Sequence, residues 1–174
     1  METEYEKQFL YRLGKLVVEF GRMERTIRFT VIQMVRDDEL AKTLVPPSNM
    51  VSHNLELLKR MTKLKIKESA QSVWFESING LEKLFEERNK IFHGTFYSIE
   101  SPTTLARHRK GRKTKSDDVV WQDYDLDSLD CIYDSLYAYS RQLSDFSDDF
   151  YRSESPEGSF SQPSQTMYLP LRYQ

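Results

Sequence analysis

WFESINGLEKLFEERNKIFHG, residues 74–94, decides how this chain folds. Trp74, Ile78, Leu81, Phe85, Arg88 and Phe92 follow one another at spacings of 4, 3, 4, 3 and 4, the period of one face of an α-helix. With Trp74 set at zero and about 100° per residue, the four other apolar members fall within roughly 40° of it. Gly94 then supplies a residue that readily takes the left-handed conformation at a helix end. A helix with one apolar face must bury that face against other elements.

Its partners show on either side. Leu10, Leu13, Val17, Phe20, Glu24, Ile27, Val31 and Met34 form an unbroken track of threes and fours, with Glu24 its lone charge. That first helix is expected to end near Asp37 to Leu40, before Pro46-Pro47, which cannot continue it. Ser48 or Asn49 can cap a second helix facing inward with Val51, Leu55, Leu58 and Thr62. After the third helix the period changes. Phe96 to Ile99 and Val119 to Gln122 read as two short β segments, a hairpin-like insert over 95–123. Asp125 or Asp127 caps a last helix whose stripe is Leu129, Ile132, Leu136, Tyr139, Leu143, Phe146 and Phe150. The expected fold is all-α, an antiparallel bundle of four to five helices spanning residues 1–152. Residues 153–174, rich in Ser, Pro, Gln and Gly, are expected to be a disordered tail.

Composition narrows the function. The single cysteine, Cys131, excludes an internal disulfide and fits a reducing compartment. The first fifteen residues lack a signal peptide's apolar core, and no apolar run approaches the length of a membrane span. A cytoplasmic protein is expected. No zinc spacing, phosphate-binding glycine loop or serine-nucleophile motif is present, so neither a metal nor a cofactor is expected. The formal net charge is −2, yet residues 107–115 carry six cations and no acid, leaving the rest of the chain at −8. Those cations, Arg107, Arg109, Lys110, Arg112, Lys113 and Lys115, are candidate contacts for RNA phosphates. A solvated hairpin tip is the competing use. Tyr133, Tyr137, Tyr139 and Tyr151 border the last helix's stripe and are expected to pack rather than to stack bases.

The chemistry-bearing groups cluster at the end of the third helix. Arg88 lies at about −40°, inside the apolar stripe, while Asn89 and His93 lie at about 60° and 100°, on its shoulder. A guanidinium inside a core stripe must meet an acid, a ligand or a solvent seam, because an unpaired buried charge is too costly. Glu24 interrupts the first helix in the same way and is the natural intrachain partner. A guanidinium can also hold a phosphate through two hydrogen bonds, and an imidazole can exchange protons during phosphoryl chemistry. On composition alone, an Arg88–Glu24 ion pair and a helix cap by His93 are the commoner uses of such residues.

The order of long helix, helix, helix ending in R-N-x-x-x-H-G, insert and final helix resembles the HEPN superfamily of helical-bundle proteins. Phe20-Gly21-Arg22-Met23-Glu24 is also similar to its Abi-like bacterial members. The likeness spans roughly residues 5–150 and is specific at Arg88 to Gly94. It implies a metal-independent endoribonuclease of a toxin or antiviral system, with Arg88 and His93 as the catalytic pair, Asn89 beside them and Glu24 in support. The implied reaction uses the RNA 2′-hydroxyl and leaves a 2′,3′-cyclic phosphate and a 5′-hydroxyl. The resemblance also implies a homodimer with a composite active site and a cognate antitoxin or defence-system partner. Where toxin members paired with a nucleotidyltransferase carry a tyrosine two residues after the histidine, this chain has Thr95, and the nearest tyrosine is Tyr97. In-line attack benefits from a base on one side and an acid on the other. With only His53, His93 and His108 in the chain, two copies of His93 across a two-fold axis or a His93–His53 pair within one chain are the available arrangements. A non-catalytic dimerisation or RNA-binding module is the alternative function.

Overall fold

Threonine 3 opens the first helix of the computed structural model by accepting a hydrogen bond from the Glu6 amide (3.1 Å), with Glu4 and Glu6 at the helix's positive pole. The structure describes residues 3–48, 50–99, 103–109 and 118–154. Helix α1 runs Glu4–Val35, α2 Asp38–Leu44, α3 Val51–Lys65, α4 Glu68–Phe92 and α5 Leu126–Glu154; strands β1 Thr95–Ser98, β2 Thr103–Arg109 and β3 Asp118–Tyr124 lie between α4 and α5. The protein is an all-α helical bundle carrying a small sheet before its last helix.

Helix α1 stops at Arg36, whose φ of 58° is left-handed. Asp37 then accepts from the Leu40 amide (2.9 Å) and starts α2, a separate seven-residue helix just past where the first was expected to end. Helix α3 begins at Met50 without a side-chain cap, so Ser48 does not fill that role; Asn49 lies outside the described residues. Asp125 does cap α5, accepting from the Ser128 amide (2.7 Å) and hydroxyl.

Core packing follows from which track each helix buries. Helix α1 buries Phe9, Leu16, Phe20, Met23, Ile27, Val31 and Met34, while Leu10 and Val17, expected on the same stripe, remain 41% and 52% exposed. A long helix with many apolar residues carries two such tracks, and threes and fours alone do not choose between them. From α3 come Leu55 and Leu58, and from α4 Trp74, Ile78, Leu81, Phe85 and Ile91. Phe20 meets Phe85 and Phe92 edge-on at 5.3 and 5.9 Å, and Trp74 stacks on Phe146 at 4.7 Å. Each fully buried side chain of this core, such as Phe20 or Ile78, contributes about 1.5–3 kcal/mol.

Directions can be read from paired contacts. Ser77 bonds Gln142 (2.9 Å), while Tyr124 and Gln122, just before α5, bond Glu87, so α4 and α5 run oppositely. Helices α3 and α4 form a helical hairpin tied by Lys59–Glu82 (2.6 Å). Helices α1 and α5 run the same way: Arg12 pairs with Asp130 (2.9 Å) and Thr30 with Ser147 (3.2 Å).

The insert is more than the expected hairpin. Its sheet has order β1-β2-β3, antiparallel throughout, with Phe96 opposite Leu105 and Leu105 opposite Gln122. The two segments expected to pair with each other both pair with β2. Strand β2, TTLARHR, lacks the apolar alternation that marks a strand in sequence, but seven register pairs with β3 hold it extended. Arg107 and Arg109 therefore sit on β2, whereas Lys110, Arg112, Lys113 and Lys115 lie outside the described residues. The tail expected from residue 153 starts inside α5, and residues 155–174 likewise lie outside.

Candidate active site

The last two turns of α4 face a groove of about 870 Å³ whose lining includes Arg88, Asn89 and His93. Helix geometry accounts for the grouping. Residues 82, 86, 89 and 93 are spaced 4, 3 and 4, so Glu82, Glu86, Asn89 and His93 form one polar stripe beside the buried one. Opposite stand Glu24 of α1 and Met50 and Ser52 at the start of α3.

Arg88 is partly buried and only partly satisfied. One terminal nitrogen lies 3.4 Å from Glu24 Oε1, and the other donates to Asn89 Oδ1 at 3.2 Å. The guanidinium stands 5.5 Å from the Phe92 ring centroid, a cation–π contact. Its Nε is buried and has no acceptor. The pairing anticipated with Glu24 thus exists, but through one long contact between side chains 30% and 40% exposed. A pair so placed contributes roughly 0–1 kcal/mol, so a competing anion can displace it.

His93 is the C-cap of α4, with φ −105° and its amide donating to the Asn89 carbonyl (3.2 Å). The side chain is exposed at the groove's edge. His53 is exposed on α3, and its neighbour Ser52, not His53, lines the groove. The intrachain pair His93–His53 is therefore not assembled within this groove. The His108 side chain lies outside the described residues.

Electrostatically the groove is mixed. Three carboxylates (Glu24, Glu82 and Glu86) share it with one guanidinium and one imidazole, although Lys59 neutralises Glu82 from α3 at 2.6 Å. Glu82 and Glu86 escaped the sequence reading. The signal was present in their spacing to His93, but acids on a helix shoulder are usually a solvated face. Among the described residues, no group of three or more His, Cys, Asp or Glu is placed to hold a metal ion.

Nearby, Glu87 has a different task. Burial pushes its carboxyl upward, yet hydrogen bonds from Lys90 (2.6 Å), Tyr124 and Gln122 (3.0 Å), with the Lys90 charge, outweigh this and hold it below its ordinary value. Glu87 thereby fastens β3 to α4.

Chemically, the arrangement offers a guanidinium with spare donors, an adjacent amide and an exposed imidazole within two helical turns. No protein-family profile, curated protein or solved structure matches this chain.

Proposed function

We propose that this chain is a metal-independent endoribonuclease of the HEPN type, acting as a homodimer in a toxin or antiviral system. One observation carries the reading: Arg88, Asn89 and His93 open onto one solvent-accessible groove, and Arg88 has a buried Nε with no acceptor. A bound phosphate would accept two hydrogen bonds from the terminal guanidinium nitrogens of Arg88 and replace the weak Glu24 contact. His93 of one copy removes the proton of the RNA 2′-hydroxyl, whose oxygen attacks the adjacent phosphorus. The 5′-oxygen leaves and takes a proton from His93 of the second copy. Two Arg88 side chains offset the charge that builds on the phosphate oxygens. The products are a 2′,3′-cyclic phosphate and a 5′-hydroxyl, and this step calls on no metal or cofactor. Arg107, Arg109, Lys110, Arg112, Lys113 and Lys115 steer the RNA, and a cognate antitoxin or defence-system protein restrains the enzyme in the cytoplasm.

A second reading, a non-catalytic dimerisation or RNA-binding module, draws on the Arg88–Glu24 contact and the groove's carboxylates. RNA cleavage with and without chelator separates the two. The nuclease cuts in both conditions and loses at least about a hundredfold in rate in Arg88→Ala and in His93→Ala, each still folded. Undiminished cutting by both variants, or none by the native chain, removes the catalytic reading.

A further inference from the structure

Helix α1 carries a second seam beside its buried track. Lys7, Leu10, Gly14, Val17, Gly21 and Glu24 recur at spacings of 3, 4, 3, 4 and 3, a seven-residue repeat. Glu4, Tyr11, Val18 and Arg25 run along its outer edge with the same repeat. Leu10, Tyr11, Val17 and Val18 keep 41%, 70%, 52% and 50% of their surface, so the middle of the seam is open and apolar. A Cβ built at Gly14 or Gly21 would meet nothing within 4 Å, which leaves bare hollows between the protruding side chains. A contiguous exposed patch of this kind marks a docking surface.

The seam matches itself when two copies lie antiparallel. Leu10 of one copy then enters the hollow at Gly21 of the other, Val17 enters the hollow at Gly14, and Lys7 meets Glu24, each twice by symmetry. Along the edge, Tyr11 meets Val18 and Arg25 meets Glu4. Parallel copies would instead set Lys7 on Lys7 and Glu24 on Glu24. Sliding the antiparallel pair by one repeat sets Val17 on Lys7 or Glu24 on Gly14. Size and charge therefore agree on one register. The other charges of α1 do not oppose it. Arg22 pairs with Glu19 and Arg12 with Asp130, Lys15 lies over the Tyr133 ring, and Arg28 donates to the Val45 carbonyl. Glu6 lies on the flank toward the bundle, where no acid of the second copy opposes it. Lys7 and Arg25 have no ionic partner among the described residues. Glu24 reaches Arg88 at 3.4 Å but keeps 40% of its side chain exposed, open to the second copy's Lys7.

The seam also sets where the two grooves meet. Phe92 packs on Phe20 at 5.9 Å and Phe96 on Phe9 at 5.8 Å, so His93 to Thr95 pass α1 between Phe9 and Phe20. The two-fold axis of the antiparallel pair crosses α1 between Lys15 and Leu16, inside that interval. A two-fold axis lying in the seam keeps corresponding flanks on the same side. Both α4 ends therefore emerge together, each within about 10 Å of the axis as measured along α1.

We propose that a second copy packs antiparallel on α1 through Leu10, Gly14, Val17 and Gly21, and that its Lys7 draws Glu24 away from Arg88. The guanidinium nitrogen that Glu24 had occupied is then free for a phosphate, so the anion site is complete only in the dimer. This consequence for the groove rests on the nuclease reading; the packing itself does not.

Sedimentation of the full chain without RNA reads the packing. The native chain should dimerise reversibly as its concentration rises. Gly14→Gln with Gly21→Gln adds side chains that the free helix has room for, and Gln forms helix better than Gly. That variant should keep or raise the melting temperature of the dilute monomer while weakening the dimer at least about tenfold. Arg25→Glu should weaken the dimer by a smaller factor, and adding Glu4→Arg should restore it, as the antiparallel register requires. A native chain that stays monomeric throughout, a dimer unmoved by the glutamines, or a charge swap that fails to restore association overturns the packing. RNA cleavage reads the groove separately. A glutamine variant that is monomeric yet cuts at the native rate overturns the role of the second copy's Lys7. A native dimer that cuts no RNA sinks the nuclease reading and leaves the packing standing.

Discussion

Arg88 is held between two claims on one guanidinium. Glu24 offers a carboxylate at 3.4 Å, Asn89 an amide oxygen at 3.2 Å, and the buried Nε has neither. Because burying Nε without an acceptor costs free energy, any anion that reaches it gains more than a surface charge would. Glu24 is then a competitor for phosphate rather than a helper. Glu24→Gln keeps the side chain's shape and removes its charge. If the groove takes RNA, this variant binds a short RNA up to about fivefold more tightly, the equivalent of an exposed ion pair of up to about 1 kcal/mol. In a purely structural module the same change leaves RNA binding unaltered and slightly lowers the melting temperature. Fluorescence anisotropy beside a thermal melt distinguishes the two.

Elements of this fold were legible in sequence where a single apolar track decided them. Helix α4 and the Leu129, Leu136, Leu143 and Phe150 track of α5 are buried as their spacing implies. Helix α2 was not, because seven residues hold less than two periods and only Asp37 announces it. Strand β2 was hidden because a run with two arginines and a histidine reads as readily as a loop. Arg88 and Glu24 could be paired in advance because each breaks an apolar stripe. Glu82 and Glu86 could not be singled out, because acids on a helix's polar shoulder interrupt nothing. Among element contacts, Glu87 is the one most open to test. Its depressed folded value means that its contribution is complete above the ordinary value of 4.5 and is lost as pH falls through the lower folded value. Glu87→Gln should cost on the order of 1 kcal/mol at neutral pH, since it weakens the bonds to Lys90 and Tyr124. Its deficit in melting temperature relative to the native chain should shrink steadily as pH drops below that range. A deficit constant with pH would show that Glu87's charge does not fasten the sheet.

For the whole molecule, charge distribution is the constraint on any nucleic-acid role. Outside residues 107–115 the chain carries −8, so RNA is repelled by most of its surface and attracted at one segment. Of that segment, Arg107 and Arg109 belong to strand β2, and the sheet is fixed to α4 by Glu87, whose helix also ends in His93. Under the proposed reading, the six cations gather phosphates and Arg88 holds one of them in a groove that three carboxylates share. Affinity would then come from the six cations and selectivity for the scissile phosphate from the groove. Changing all six cations to Gln should weaken RNA binding and flatten its dependence on salt. Each lost contact with single-stranded RNA should remove about 0.7 from the slope of log K against log salt concentration. His93→Ala should leave that slope almost intact, because it removes none of the six cations. Opposite behaviour, a slope unmoved by the six changes but reduced at His93, would transfer the RNA contact from the six cations to the groove.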